Sequence, residues 1–214
     1  MLTIWGRRSS FNVQKVLWLA GELGLAYRHV SIGGEFGGCD TAEFEARNPT
    51  RRIPVIELDG EIAWESHTIL RLLAAHTRQA PFWLADPFAR SHAERWMDWC
   101  QTTLEPDLMT GLFWAMVRTP ESERNWPLVE EKNARCTQHF QMLDRMLATR
   151  PFLSGDALGL GDIPVGATLF RYFSLDLERP ALPHVGAWYR RLQQRPAYRE
   201  HVMVSFEALR GRPG

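Results

Sequence analysis

Cysteine is scarce in this chain, with three in 214 residues: Cys39, Cys100 and Cys136. Their number is odd, they lie far apart, and they form no CxxC pair or His-rich neighbourhood. That excludes a disulfide scaffold and a zinc site, and no metal is expected. Net charge is missing too, because Lys+Arg and Asp+Glu balance at 25 each. Neither nucleic acid nor an anionic membrane surface is therefore an expected partner. No run approaches the roughly 18 apolar residues of a membrane span. The opening Met1 to Arg8 has no long apolar segment after its charges, so no secretory signal is expected. A reducing cytoplasm is the expected compartment. Internal repeats and low-complexity tracts are also absent.

What remains is an ordinary globular composition, 45% hydrophobic and 23% charged. This is enough chain to bury a core without staples. The first 77 residues mix strand and helix signals. Leu2 to Trp5 reads as a short strand. Ser9, Ser10 and Asn12 then offer N-cap chemistry. Val13, Val16, Leu17, Ala20 and Leu23 follow at helical spacing, and Gly24 suits the stop. Tyr27 to Ile32 alternates like a second strand, so a right-handed crossover joins a parallel pair. Gly33 to Gly38 is glycine-rich but follows the second strand without phosphate-cradling spacing. Residues 41–47 read as a short helix ending at Asn48-Pro49. Val55 to Leu58 and Glu61 to Trp64 form a hairpin through Asp59-Gly60. Glu65-Ser66 opens a helix through His76. The order β-α-β-α-β-β-α is that of a thioredoxin-like α/β domain over 1–78.

Residues 78–86, with Pro81, read as a linker, and strand signals stop there. A long helix is expected from about Pro87 to Val117, kinked at Glu105-Pro106 where proline removes a donor. A second, about 122–149, carries Cys136, Phe140, Leu143 and Leu147 on one face. Asp162 to Ser174 and Leu182 to Gln194 give two more, and the short loops imply antiparallel neighbours. Residues 87–214 are thus expected to be an all-α helical bundle.

Three places combine polar side chains with free backbone groups. At Arg8-Ser9-Ser10-Phe11-Asn12, hydroxyls and N–H groups meet the positive end of a helix dipole. Such an end stabilises anions, thiolates included. Ser10 and Asn12 read equally well as simple caps. At Ile53-Pro54, a trans bond is a fitting strand start. A cis bond would turn the Ile53 N–H and C=O towards a peptide-like ligand. At Trp64-Glu65-Ser66, the Ser66 hydroxyl and the first N–H groups form a carboxylate site or an ordinary cap. Arg51 and Arg52 precede Pro54 and offer charge to a second carboxylate, or to solvent.

In combination these segments resemble the cytosolic glutathione transferase superfamily, in its serine-type members (theta-, delta- or nu-like, bacterial). Ser9-Ser10-Phe11-Asn12-Val13-Gln14-Lys15-Val16 resembles the catalytic turn. Asn48-Pro49-Thr50-Arg51-Arg52-Ile53-Pro54 resembles the segment before the family's cis-proline. Trp64-Glu65-Ser66-His67-Thr68-Ile69 resembles its γ-glutamyl-binding motif. Phe152-Leu153-Ser154-Gly155-Asp156 and Asp162-Ile163 resemble the folding motif ahead of its sixth helix.

The resemblance implies a glutathione transferase fold. It also implies an enzyme that uses glutathione as cosubstrate, activates its thiolate and directs it at a small electrophile. Ser10, or Ser9 one residue out of register, would hydrogen-bond the sulfur, with Asn12 a second polar group near it. Ile53, ahead of Pro54, would pair with the cysteinyl moiety. Glu65 and Ser66 would hold the γ-glutamyl end, and Arg51 would face the glycyl carboxylate. Phe113, Trp114 and Arg118 are the electrophile-pocket candidates in a site between the domains, although aromatics there suit a core equally. A homodimer is implied. Trp5 stands where tyrosine-type members carry their hydroxyl, and no cysteine lies in the Ser9–Asn12 turn, so neither of those mechanisms is expected. Gly159 replaces the family's Ser or Thr helix cap. Two alternatives stay open: reduction of glutathione-containing disulfides or peroxides, and a non-catalytic interaction module.

Overall fold

The computed structural model describes residues 1–211. They form two compact units, one of Met1–Trp83 with Pro196–Val204, the other of Leu84–Arg195 with the residues from Ser205 onward. No helix among them is long and apolar enough to cross a membrane.

The first unit is built on a mixed sheet of β1 (Leu2–Trp5), β2 (Tyr27–Val30), β3 (Val55–Leu58) and β4 (Glu61–Trp64), in the order β2-β1-β3-β4. β1 and β2 are parallel, while β3 is antiparallel to both β1 and β4. The β3–β4 turn is formed by Asp59 and Gly60, both with positive φ (52° and 93°), the twist that a two-residue hairpin needs. β2 stops at Val30, two residues short of the sequence expectation, because Ser31 and Ile32 leave the ladder for the glycine loop.

The helices of this unit are α1 (Phe11–Glu22), α2 (Ala42–Arg47) and α3 (Ser66–Thr77). Thr41 caps α2, its hydroxyl accepting from the Phe44 N–H at 3.2 Å. The predicted face of α1, Val13, Val16, Leu17, Ala20 and Leu23, is buried, but so are Lys15, Trp18 and Leu19. The second buried face has a cover that the sequence did not suggest. A short helix, α8 (Pro196–His201), returns from the chain's end and packs on α1. Gly21 makes room for it, since a Cβ there would lie 2.8 Å from the Ala197 Cβ.

The second unit holds α4 (Pro87–Trp99), α5 (Trp126–Leu147), α6 (Asp162–Ser174) and α7 (Pro183–Gln193). Around Glu105-Pro106 the helix changes its hydrogen-bonding pattern. Past Trp99 the chain stays helical to Arg118 but widens to π-type turns over Cys100–Leu104 and Pro106–Arg118. The Glu105 N–H reaches back five residues to the Cys100 carbonyl, and Thr119 N–H does the same to Trp114. Proline at 106 removes a donor and crowds the carbonyl four residues back. The wider turn absorbs this without ending the helix. α5 begins at Trp126, later than expected, because Asn125 caps it by accepting from the Leu128 N–H.

The entry to α6 shows how the chain manages without a cap hydroxyl at Gly159. The buried Asp162 carboxylate accepts from the N–H groups of Leu153 (2.7 Å), Ser154 (3.2 Å) and Gly159 (3.1 Å). The Ser154 hydroxyl accepts from the Gly161 N–H at 3.1 Å, doing from earlier in the same connection what a side chain at 159 would do. A Cβ at Gly161 would lie 2.8 Å from the Ala93 carbonyl, so α4 and α6 meet closely there.

Candidate functional site

The sheet register carries the candidate residues of the first unit to one edge. Trp5 pairs with Val30 on one side and Val55 on the other, and Val55 pairs with Trp64. The row Val30–Trp5–Val55–Trp64 is therefore one end of the sheet. The glycine loop leaves β2 there, the Gly6–Ser10 turn leaves β1, Ile53-Pro54 enters β3, and Glu65-Ser66 leaves β4. Residues more than 50 positions apart in sequence meet along about 14 Å, three inter-strand spacings.

The turn into α1 is tightly organised. The Ser10 N–H donates to the Arg7 carbonyl at 3.0 Å, and the Ser10 carbonyl takes the Gln14 N–H at 2.9 Å. The Gln14 side-chain amide donates to the Arg8 carbonyl at 3.0 Å. His29 Nε2 lies 2.7 Å from the Gly6 carbonyl on the other side of the turn. Gly6 has φ +150°, and a Cβ there would strike Val13 at 2.4 Å. Ser10 occupies the N-cap position, yet its hydroxyl makes no cap hydrogen bond. The simple capping role that the sequence allows is thus not in use. Asn12 buries its amide oxygen without a hydrogen-bond partner. Turned about its last bond, that amide presents N–H instead. Ser9 is half-buried in the same turn.

The Ile53–Pro54 bond is cis. Ile53 is half-buried and Pro54 buried. Among the described residues no backbone hydrogen bond outside helices and strands uses the Ile53 N–H or C=O. At the start of α3, Glu65 is held at φ 70°, ψ 116°, and makes no side-chain cap. Backbone in so sparsely populated a conformation is concentrated at active sites, ligand clamps and switches. Ser66 is 6% exposed at the first helical position, where the N–H groups have no intrahelical acceptor. Arg51, also at positive φ (55°), is exposed, and its guanidinium is paired with Glu45 at 2.6 Å.

Behind this edge lies a pair that the sequence reading missed. Lys15, fully buried, places Nζ 3.1 Å from Nε2 of His67, itself 3% exposed. Lys15 Nζ also lies 4.3 Å from the Phe11 ring centroid. The second turn of α1 and the start of α3 are joined through these two side chains. A lysine at a core-facing helical position was the available signal.

The remaining candidates lie in the second unit. Phe113 is fully buried, edge-on to Phe206 at 5.1 Å and beneath the Arg171 guanidinium at 4.8 Å. Trp114 is 40% exposed, with the Arg118 guanidinium 4.8 Å from its ring. A cavity of about 380 Å³ opens nearby, lined by Met116, Val117, Arg124, Trp126 and Phe206 among others, but not by Phe113, Trp114 or Arg118. Cys100 and Cys136 are buried, and burial pushes the Cys136 thiol up to about 12, which leaves it inert.

Residues 5–81 match the family "Glutathione S-transferase, N-terminal domain", and residues 106–196 match "Glutathione S-transferase, C-terminal domain". Glutathione S-transferase GstB of Escherichia coli K12 is 38% identical, over 95% of this chain and 99% of its own length. The theta class glutathione S-transferase of the citrus canker pathogen Xanthomonas axonopodis pv. citri, solved with glutathione bound, is 42% identical. It superposes with a TM-score of 0.90 over 95% of this chain and 98% of that one. A glutathione S-transferase from Pseudomonas fluorescens is similar at 26% identity and a TM-score of 0.78, over 95% and 99% of the two chains.

Proposed function

The chain belongs to the cytosolic glutathione S-transferase superfamily, and from that membership we propose that it binds reduced glutathione, ionises its thiol and directs the thiolate at a small electrophile. The observation that carries this reading is the Ser10 hydroxyl, placed at the N-terminus of α1 and not used as a cap.

A free thiol with a pKa of about 8.5 is mostly protonated at neutral pH. A hydroxyl donor and the positive end of a helix dipole both favour the charged form and lower that pKa. Ser10 supplies the hydroxyl, and Asn12 an amide that turns to donate. Ser9 is the neighbouring alternative. The backbone of Ile53, ahead of cis-Pro54, pairs with the cysteinyl moiety. Glu65 takes the γ-glutamyl ammonium, and Ser66 with the first N–H groups of α3 takes its carboxylate. Arg51, expected at the glycyl end, is already paired with Glu45. Residues 1–78 make up the glutathione-binding domain in this reading and 87–214 the helical, electrophile-binding one, with Phe113, Trp114 and Arg118 its pocket candidates. The enzyme works as a cytoplasmic homodimer and needs no metal. Ser10→Ala, assayed with a chloronitrobenzene, tests the reading: unchanged turnover removes Ser10 from the mechanism.

The alternative of glutathione-dependent disulfide or peroxide reduction has Asn12 in its favour. Fast turnover of a mixed disulfide with poor conjugation would select it. Absence of glutathione binding by calorimetry would leave the interaction-module reading instead.

A further inference from the structure

Arg7 is not among the residues that the sequence put forward, yet its side chain is four-fifths buried at the edge where the site lies, 19% exposed. It belongs to the same turn as Ser10, whose N–H donates to the Arg7 carbonyl. From there the guanidinium runs beneath the glycine loop. A Cβ on Gly34 would lie 3.0 Å from Arg7 Cδ, Nε and Nη1. A Cβ on Gly33 would lie 3.5 Å from Arg7 Nη1, 3.1 Å from Ile53 Cδ1 and 3.2 Å from Cys39 Sγ. The two glycines thus leave a slot in which Arg7, Cys39 and Ile53 converge.

The cation in that slot is under-used. Arg7 Nε is buried with no hydrogen-bond partner. Glu35, its ion-pair partner, stands 4.0 Å away, too far for a hydrogen bond. Cys39 does not neutralise it either, because burial pushes that thiol's pKa up and keeps it protonated. A buried guanidinium with an unspent fork suits a carboxylate, which it grips with two parallel bonds.

The order across the sheet says which carboxylate. α3 follows β4, Ile53 precedes β3, and Arg7 follows β1, next to the loop after β2. From β4 to β1 is two inter-strand spacings, about 10 Å. A tripeptide in extended form spans about 10 to 11 Å. One that begins on Ser66 and pairs with Ile53 therefore ends over β1, beside Arg7. We propose that Arg7 is the specificity-determining residue for the glycyl carboxylate of bound glutathione, and that Arg51 is not. This rests on the glutathione-binding reading above.

The test compares the affinity for glutathione with that for its glycyl methyl ester, by calorimetry on the full chain. The wild type prefers glutathione by about 10- to 150-fold, the worth of one charge-assisted contact. In Arg7→Met that preference collapses towards unity, glutathione binding weakens and ester binding stays at its wild-type level. Arg7→Lys, which keeps the charge but not the fork, retains part of the preference and serves if the methionine variant does not fold. Three outcomes overturn the proposal: a wild type that binds both ligands equally, a full preference kept in both Arg7 variants, or a collapse in Arg51→Met with the preference kept in Arg7→Met. A wild type that binds neither ligand would instead sink the glutathione-binding reading itself.

Discussion

Nζ of Lys15 lies 3.1 Å from Nε2 of His67, and both side chains are buried. Lys15 is on the second turn of α1 and His67 follows Ser66 at the start of α3, so one contact ties together the two helix starts that carry the candidate site. For the ammonium to donate there, His67 must be neutral with Nε2 as acceptor. Lys15→Met keeps the stem length and removes the donor. Its cost is that of a stranded buried polar group, about 1 to 3 kcal/mol. For a chain of this size that lowers Tm by roughly 2 to 12 °C. A thermal scan checks this, and the double variant with His67→Leu should lose less than the two single losses summed.

Ser10→Ala is expected to leave stability alone. Losing an N-cap serine usually costs about 1 kcal/mol, but this hydroxyl makes no cap bond. Melting temperatures should agree within about 2 °C, while kcat/KM falls by about 10- to 150-fold, the worth of a hydrogen bond to a charged sulfur. A large drop in Tm would show that Ser10 serves the helix instead.

Ser154→Ala removes the hydroxyl that accepts the Gly161 N–H. Gly159 has no side chain to replace it. A loss of about 1 to 2 kcal/mol is expected from denaturant unfolding. Wild-type stability would show that water takes the N–H at no cost.

Stability should fall with acidification below about pH 6.5, the ordinary histidine value. His201 packs α8 against α1 and has Tyr27 Oη at 3.4 Å. Burial is the largest cause lowering its pKa, with Arg8 and His29 adding repulsion and Glu200 opposing. His29 is lowered as well, again mainly by burial. The folded chain thus keeps both rings neutral at pH values where the unfolded chain binds protons. Stability rises wherever the unfolded state holds more protons, so it is full above about pH 6.5 and is lost as pH falls towards the lowered values. Tm should be lower at about pH 5.5 than at about pH 7.5, with the loss setting in below about pH 6.5, and His201→Gln should flatten that drop. An identical slope in the variant would remove His201 from the effect.

Much of the first unit was legible because its signals are local. Asp59-Gly60 names its turn, Asn48-Pro49 ends the short α2, and the α1 stripe follows a simple period. The polar turns were legible as a set, and the cis bond at Ile53-Pro54 agrees with the resemblance of that segment. What escaped depends on contacts between distant residues. α8 is six residues long, shorter than periodicity can detect, and only its packing on α1 makes it a helix that matters. Lys15 and Arg7 look like surface charges in a list of residues. They are buried because His67 and the Gly33–Gly34 loop arrive from elsewhere. The widened turns past Trp99 escaped because proline at 106 signals only a lost donor, and π-type turns have no signature of their own in the sequence.

In the proposed mechanism the turn at Ser10 keeps a bound thiol ionised. Ultraviolet titration of glutathione bound to the wild type measures it most directly. The bound thiol should titrate with an apparent pKa at least about one unit below the free-thiol value near 8.5, moving back up in Ser10→Ala. A bound thiol that titrates like the free one, or one unmoved by removal of the Ser10 hydroxyl, would contradict it.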